Sequence, residues 1–180
     1  MRFLFTALFF VCAVFSFSAN ALSAQPLYFY DTKGEKMLLS TFKDKPTIVF
    51  VYKRDCGICL NMLTELDKFK QTLESEFNVL PVMIGDTSTS TARKLFIKLD
   101  IRNLPIYLDK DNVLPTELGF HVTPMTILFN TDGKTVKKIV GKLNWKGPFF
   151  AEELRELKSL ALTVPENTKK EKDMENDKLL

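Results

Sequence analysis

Pro46-Thr47-Ile48-Val49-Phe50-Val51-Tyr52-Lys53-Arg54-Asp55-Cys56-Gly57-Ile58-Cys59 joins a β-branched, apolar run to a Cys-x-x-Cys pair. Residues 46–52 show no polar alternation, which predicts a strand covered on both faces. Beyond the cysteines, Met62, Leu66, Phe69, Leu73 and Phe77 recur at spacings of 4, 3, 4 and 4, the period of an amphipathic helix. Glu65, Asp67, Lys68, Lys70, Gln71 and Glu74 mark its expected solvated face. The pair therefore lies between a buried strand and a surface helix, with Cys56 at or just before the first helical turn. Unpaired backbone N–H groups and the positive end of the helix dipole point there. Both favour a thiolate on Cys56, and the thiolate is the nucleophile of disulfide exchange. Lys53 and Arg54 add positive charge nearby, while Asp55 opposes them. Cys59, one turn on, is expected to be more buried and to resolve a mixed disulfide formed on Cys56. Gly57 is read as permitting a sharp turn into the helix, and Ile58 as an apolar contact that a protein or peptide substrate could cover.

Outward from this stretch, Leu27–Tyr30 and Met37–Leu39 read as short strands around an Asp31-Thr32-Lys33-Gly34 turn. Val79–Ile84 reads as the next strand, Ser90–Leu99 as a helix, and Pro105–Leu108 as a short strand ending in a turn over Asp109–Asn112. Met125–Asn130 and Thr135–Val140 flank Thr131-Asp132-Gly133-Lys134, whose Asp-Gly is a strong hairpin signal. Phe149–Leu160 closes the pattern as a helix with Phe150, Leu154, Leu157 and Leu160 on one face. Strand–helix–strand crossovers imply parallel pairing and the late hairpin adds an antiparallel part. The expected fold class is α/β, a central mixed sheet with helices on both faces and an N-terminal β extension.

The chain has 180 residues, 46% hydrophobic and 26% charged, enough for one globular core. Its 25 basic and 22 acidic residues leave a formal charge of +3, too small for a nucleic-acid footprint. Arg2 precedes an apolar run from Phe3, and Ala19-Asn20-Ala21 has the small-x-small form of a signal cleavage site. The run Phe3–Ala19, 17 residues, also sits at the low limit for an anchor helix. Residues 1–24 are thus expected to be a signal peptide or membrane anchor, 25–163 the folded domain, and 164–180 a charged disordered tail. The domain is expected in the periplasm or another extracytoplasmic space, touching a membrane only through the N-terminal segment if that stays uncut. A cut would remove Cys12 and leave two cysteines where disulfides form and persist.

Other uses of the pair stay open at this point. A closed zinc site takes four ligands, and the mature chain offers two cysteines and one histidine, His121. A purely structural disulfide would close so short a loop that it stabilises by only about 2 kcal/mol. Cys56, Cys59 and His121 would also suit Cu(I), which gives a copper-delivery protein as the alternative function. No metal ligand is assigned, and no cofactor beyond a redox-active Cys56–Cys59 disulfide.

Four segments carry a resemblance: Leu39-Ser40-Thr41-Phe42-Lys43-Asp44-Lys45-Pro46, Cys56-Gly57-Ile58-Cys59, Leu118-Gly119-Phe120-His121-Val122-Thr123-Pro124-Met125-Thr126, and Asn130-Thr131-Asp132-Gly133-Lys134. Together and in this order they resemble the thioredoxin superfamily, and more closely its exported TlpA/ResA-like branch. The resemblance implies a thioredoxin-like fold and a thiol–disulfide oxidoreductase, with Cys56 attacking protein substrates and Cys59 resolving. It makes Pro124 a cis-proline beside the dithiol and has Thr123 offer its backbone to an extended substrate segment. Gly57, Ile58, Thr123 and Pro124 then form the substrate-binding set. It also implies a reductant, serving cytochrome c maturation or protein-thiol reduction, with electrons from a membrane donor. Four positions depart from the family pattern. Asp55 replaces the usual tryptophan, and Ile58 the proline of the usual Gly-Pro or x-Pro dipeptide. Phe50 and Met62 stand where thioredoxin and ResA-like proteins carry carboxylates. Glu65 is the nearest remaining acid and fits better as a solvated helix residue.

Overall fold

The run after Pro46 becomes the central strand of a computed structural model that describes residues 25–85 and 88–162. In chain order the elements are β1 (Tyr28–Tyr30), β2 (Lys36–Leu38), a 3-10 turn (Leu39–Thr41), β3 (Thr47–Tyr52), α1 (Gly57–Leu73) and β4 (Asn78–Met83). They continue with α2 (Thr89–Lys98), β5 (Tyr107–Leu108), α3 (Val113–Leu118), β6 (Met125–Phe129), β7 (Thr135–Val140) and α4 (Pro148–Leu162). Among the described residues, seven strands form one sheet ordered β2-β1-β5-β4-β3-β6-β7. The expected signal or anchor (1–24) and charged tail (164–180) lie outside the described residues. No helix among the described residues is long and apolar enough to cross a membrane.

Every residue of β3 is buried, because it has neighbours on both sides and layers on both faces. It pairs in parallel with β4, from Thr47 opposite Asn78 to Tyr52 opposite Met83, and antiparallel with β6. Successive side chains of a strand point to opposite faces. Ile48, Phe50 and Tyr52 therefore join residues of α1, α2 and α4 in one core. Val49 and Val51 join Leu114 of α3, Phe120 and Phe29 in the other. Each large side chain so buried stabilises by roughly 1.5–3 kcal/mol. The mixed sheet with helices on both faces is thus the expected fold, and β1–β2 extends it through Tyr30 opposite Leu108.

Three local expectations change. α1 stops at Leu73, and Phe77 enters the core from the turn that follows, where its N–H donates to the Leu73 carbonyl at 2.8 Å. Asp67 is buried, not solvated. Its Oδ1 accepts from the backbone N–H groups of Arg102, Asn103 and Leu104 at 3.2, 2.7 and 3.0 Å, so it holds the loop leading to β5. Helix α3 follows the turn expected over Asp109–Asn112, in a stretch where the sequence pattern predicts no element. It survives Pro115 at its third position, where a missing N–H removes no helical bond.

Candidate functional site

Cys56 caps α1. It has extended backbone, φ −102° and ψ 98°, and its Sγ accepts the Cys59 N–H at 3.2 Å while its carbonyl accepts the Leu60 N–H at 3.0 Å. A disulfide joins it to Cys59 across a Cα–Cα distance of 5.2 Å. The first turn of the 17-residue helix holds no acidic residue, so nothing inside it offsets the dipole at the sulfur. Cys59 is fully buried and Cys56 is half-buried. Solvent, or another protein, reaches the pair from the Cys56 side.

The Thr123-Pro124 peptide bond is cis. Val51 pairs with Met125, which puts this peptide at the end of β3 from which the chain runs to Cys56. The Pro124 carbonyl accepts the Gly141 N–H at 2.9 Å, tying the loop after β7 to the same end. Thr123 is half-buried and Pro124 buried. Ile58 and Val122 expose 53% and 52% of their surface, apolar patches at the dithiol and beside the cis peptide. Gly57 differs from expectation. It lies outside the positive-φ glycines, and a Cβ added there would meet nothing within 4 Å, so the turn into α1 does not require glycine.

Beneath the sulfurs the site is apolar. Phe50 and Met62, where the resemblance leads one to expect carboxylates, share one core with Cys59. Trp145 packs edge-on to Phe50 at 5.4 Å and donates its indole N–H to the Met62 carbonyl at 2.9 Å. Trp145 was not anticipated, although it is the chain's one tryptophan and sits between Gly141 and Gly147. Tyr52 is also in this core; its hydroxyl has no partner among the described residues, and burial pushes its pKa up. Glu65 is exposed, as a solvated helix residue would be. His121 is exposed, and the described residues contain no group of three His, Cys, Asp or Glu side chains placed to hold a metal.

The family model for the thioredoxin-like domain matches residues 28–157. An uncharacterized protein of Haemophilus influenzae is 24% identical over 147 residues, covering 78% of this chain and 90% of that one. The thiol-disulfide oxidoreductase ResA of Bacillus subtilis is 25% identical over 114 residues, 63% of either chain. In structure, the pneumococcal exposed lipoprotein thioredoxin Etrx1 of Streptococcus pneumoniae is similar with a TM-score of 0.64 at 23% identity, covering 74% of this chain and 100% of that one. The chain belongs to the thioredoxin-like domain family and carries at Cys56 and Cys59 the disulfide of a thiol–disulfide oxidoreductase.

Proposed function

We propose that the protein is an extracytoplasmic thiol–disulfide oxidoreductase that reduces selected disulfides in client proteins. The observation that carries this is the asymmetry of the pair, with half-buried Cys56 capping α1 above fully buried Cys59. In the reduced protein the free N–H groups of the first turn favour the Cys56 thiolate. That thiolate attacks one sulfur of a client disulfide, the client S–S bond breaks, and the other client sulfur leaves as a thiolate that takes a proton from water. Cys59 then gives up its proton, attacks Cys56 Sγ and displaces the second client sulfur. Two electrons have moved to the client, and the Cys56–Cys59 disulfide remains. Thr123, beside the cis peptide, offers backbone to the client segment, and Ile58 an apolar contact. A membrane-bound dithiol donor must return two electrons for the next cycle.

The reductive direction is supported by the likeness to ResA. An extracytoplasmic location is supported by the signal-like residues 1–24 and by the exposed pneumococcal relative. The test is the reduction potential of the dithiol. A value near or below about −250 mV fits a reductant, and one near about −120 mV makes the protein an oxidant instead. In parallel, Cys59→Ser should accumulate client proteins as mixed disulfides on Cys56 in the native compartment; an empty trap defeats the proposal.

A further inference from the structure

A groove leads away from the dithiol between α1 and the loop Gly141–Gly147. It consists of two adjoining concavities of about 320 and 410 Å³ that share Glu65 and Lys142. Ile58, inside the Cys-x-x-Cys motif, lines the near part. Lys68 and Lys146 line the far part, over Trp145. Three lysines thus face one carboxylate. None of the three enters an ion pair among the described residues.

The far wall is held in place by its own bonds. Gly141 has φ +85°, which turns the chain out of β7 directly after its N–H has bonded the Pro124 carbonyl. Lys142 is therefore one residue from the cis-proline strand. Trp145 is pinned to α1 through the Met62 carbonyl at 2.9 Å. The Asn144 side chain accepts the Lys146 N–H at 3.1 Å, and its carbonyl accepts the Gly147 N–H at 3.0 Å. A Cβ at Gly147 would come within 3.2 Å of that carbonyl. The lysines thus project from a preset frame.

We propose that this groove binds an extended, acidic segment of the client protein, adjacent to the cysteine that Cys56 attacks. The inference rests on the disulfide-exchange function above and adds a client class to it. A segment paired along Thr123 leaves the site beside Gly141 and enters between Lys142 and α1, where Asp or Glu side chains meet the three lysines. A recessed cleft between a helix and a loop fits an extended chain better than a flat anionic membrane. Complementary charge in such a cleft raises association rate and selectivity more than it raises bulk affinity.

The test compares two disulfide-bridged synthetic peptides, one with Asp and Glu flanking the cysteine and one with Ser and Asn, reduced by the protein with dithiothreitol as electron source. Wild type should favour the acidic peptide by about tenfold in kcat/KM at low salt, a preference that shrinks at high salt. Lys68→Gln/Lys142→Gln/Lys146→Gln should abolish the preference, and the corresponding triple Lys→Arg variant should keep it. Lys94→Gln/Lys98→Gln, which alters a different basic concavity, should also keep it. Equal rates for both peptides in wild type, or a preference that survives the triple Gln change or disappears in the Lys94/Lys98 control, overturns the proposal. So does lysine-dependent binding to phosphatidylglycerol vesicles in place of peptide discrimination. Reduction of the small neutral disulfide 4,4′-dithiodipyridine reads the dithiol alone, so its loss in wild type would count against disulfide exchange itself, and its retention isolates a failure of the groove.

Discussion

Two helices of this molecule begin in the same physical situation and resolve it differently. At the start of α1 the exposed N–H groups meet a half-buried sulfur, with Cys59 N–H donating to Cys56 Sγ at 3.2 Å. At the start of α3 they meet a buried carboxylate: Asp109 Oδ1 and Oδ2 accept the N–H groups of Val113 and Leu114, both at 2.8 Å. Sulfur is a weak acceptor and a carboxylate a strong one. The α3 start is therefore closed and structural. The α1 start keeps its positive end available to whatever charge develops on Cys56. A cap that satisfies a helix well and a cap that reacts are different residues.

The largest effect that tests this contrast is Cys56→Ser. Serine caps a helix better than cysteine, so the variant should match or exceed the thermal midpoint of the reduced wild-type protein. Its disulfide-exchange rate should nevertheless fall by about a thousandfold or more, because the attacking thiolate is gone. If stability falls sharply as well, sulfur is holding α1 and the contrast breaks.

Asp109→Ala should do the reverse. It orphans two N–H donors against the Leu114 core and should cost about 2–3 kcal/mol in chemical denaturation, with exchange on a small disulfide unchanged. The same carboxyl also carries a pH signature. Burial, opposed by the hydrogen bonds from Val113 and Leu114, raises its pKa above the ordinary value. The folded state then binds a proton that the unfolded state has already lost, so stability falls as pH rises from the ordinary carboxylate range through the raised value. Asp109→Asn keeps one acceptor oxygen and should flatten that slope relative to wild type.

The smallest effect belongs to α2, whose start has an ordinary hydroxyl cap. Thr91 N–H donates to Ser88 Oγ at 3.4 Å, and Ser88→Ala should cost about 0.5–1 kcal/mol in the same assay. A loss as large as that at Asp109 would mean that capping strength does not rank with burial and charge.

The elements nearest the dithiol were readable because their signals are local. β3 is an unbroken apolar run, α1 a clear helical repeat, and the β6–β7 hairpin turns on Asp132-Gly133. α3 was not readable, since six residues with a proline inside give too little periodicity. Its cap looked like one more residue of a polar turn. Asp67 misled for a related reason. Its place in the helical repeat belongs to the solvated face, and only a loop 35 or more residues away covers it. The basic groove was invisible in one dimension, because Lys68 sits on α1 and Lys142 on the loop after β7, which Leu143 and Trp145 pack against α1.

The sequence by itself determined the strand–cysteine–helix order, the capping position of Cys56 and the deeper place of Cys59, because each follows from neighbouring residues or from a short repeat. Tertiary structure alone decided that Trp145 lies against Phe50 and Met62 beneath the dithiol, and that three lysines line a path away from it. Those facts depend on the register of β3 against β6 and on where the chain after β7 crosses α1. Register and crossing are set by packing among residues far apart in the chain, for which no local pattern exists.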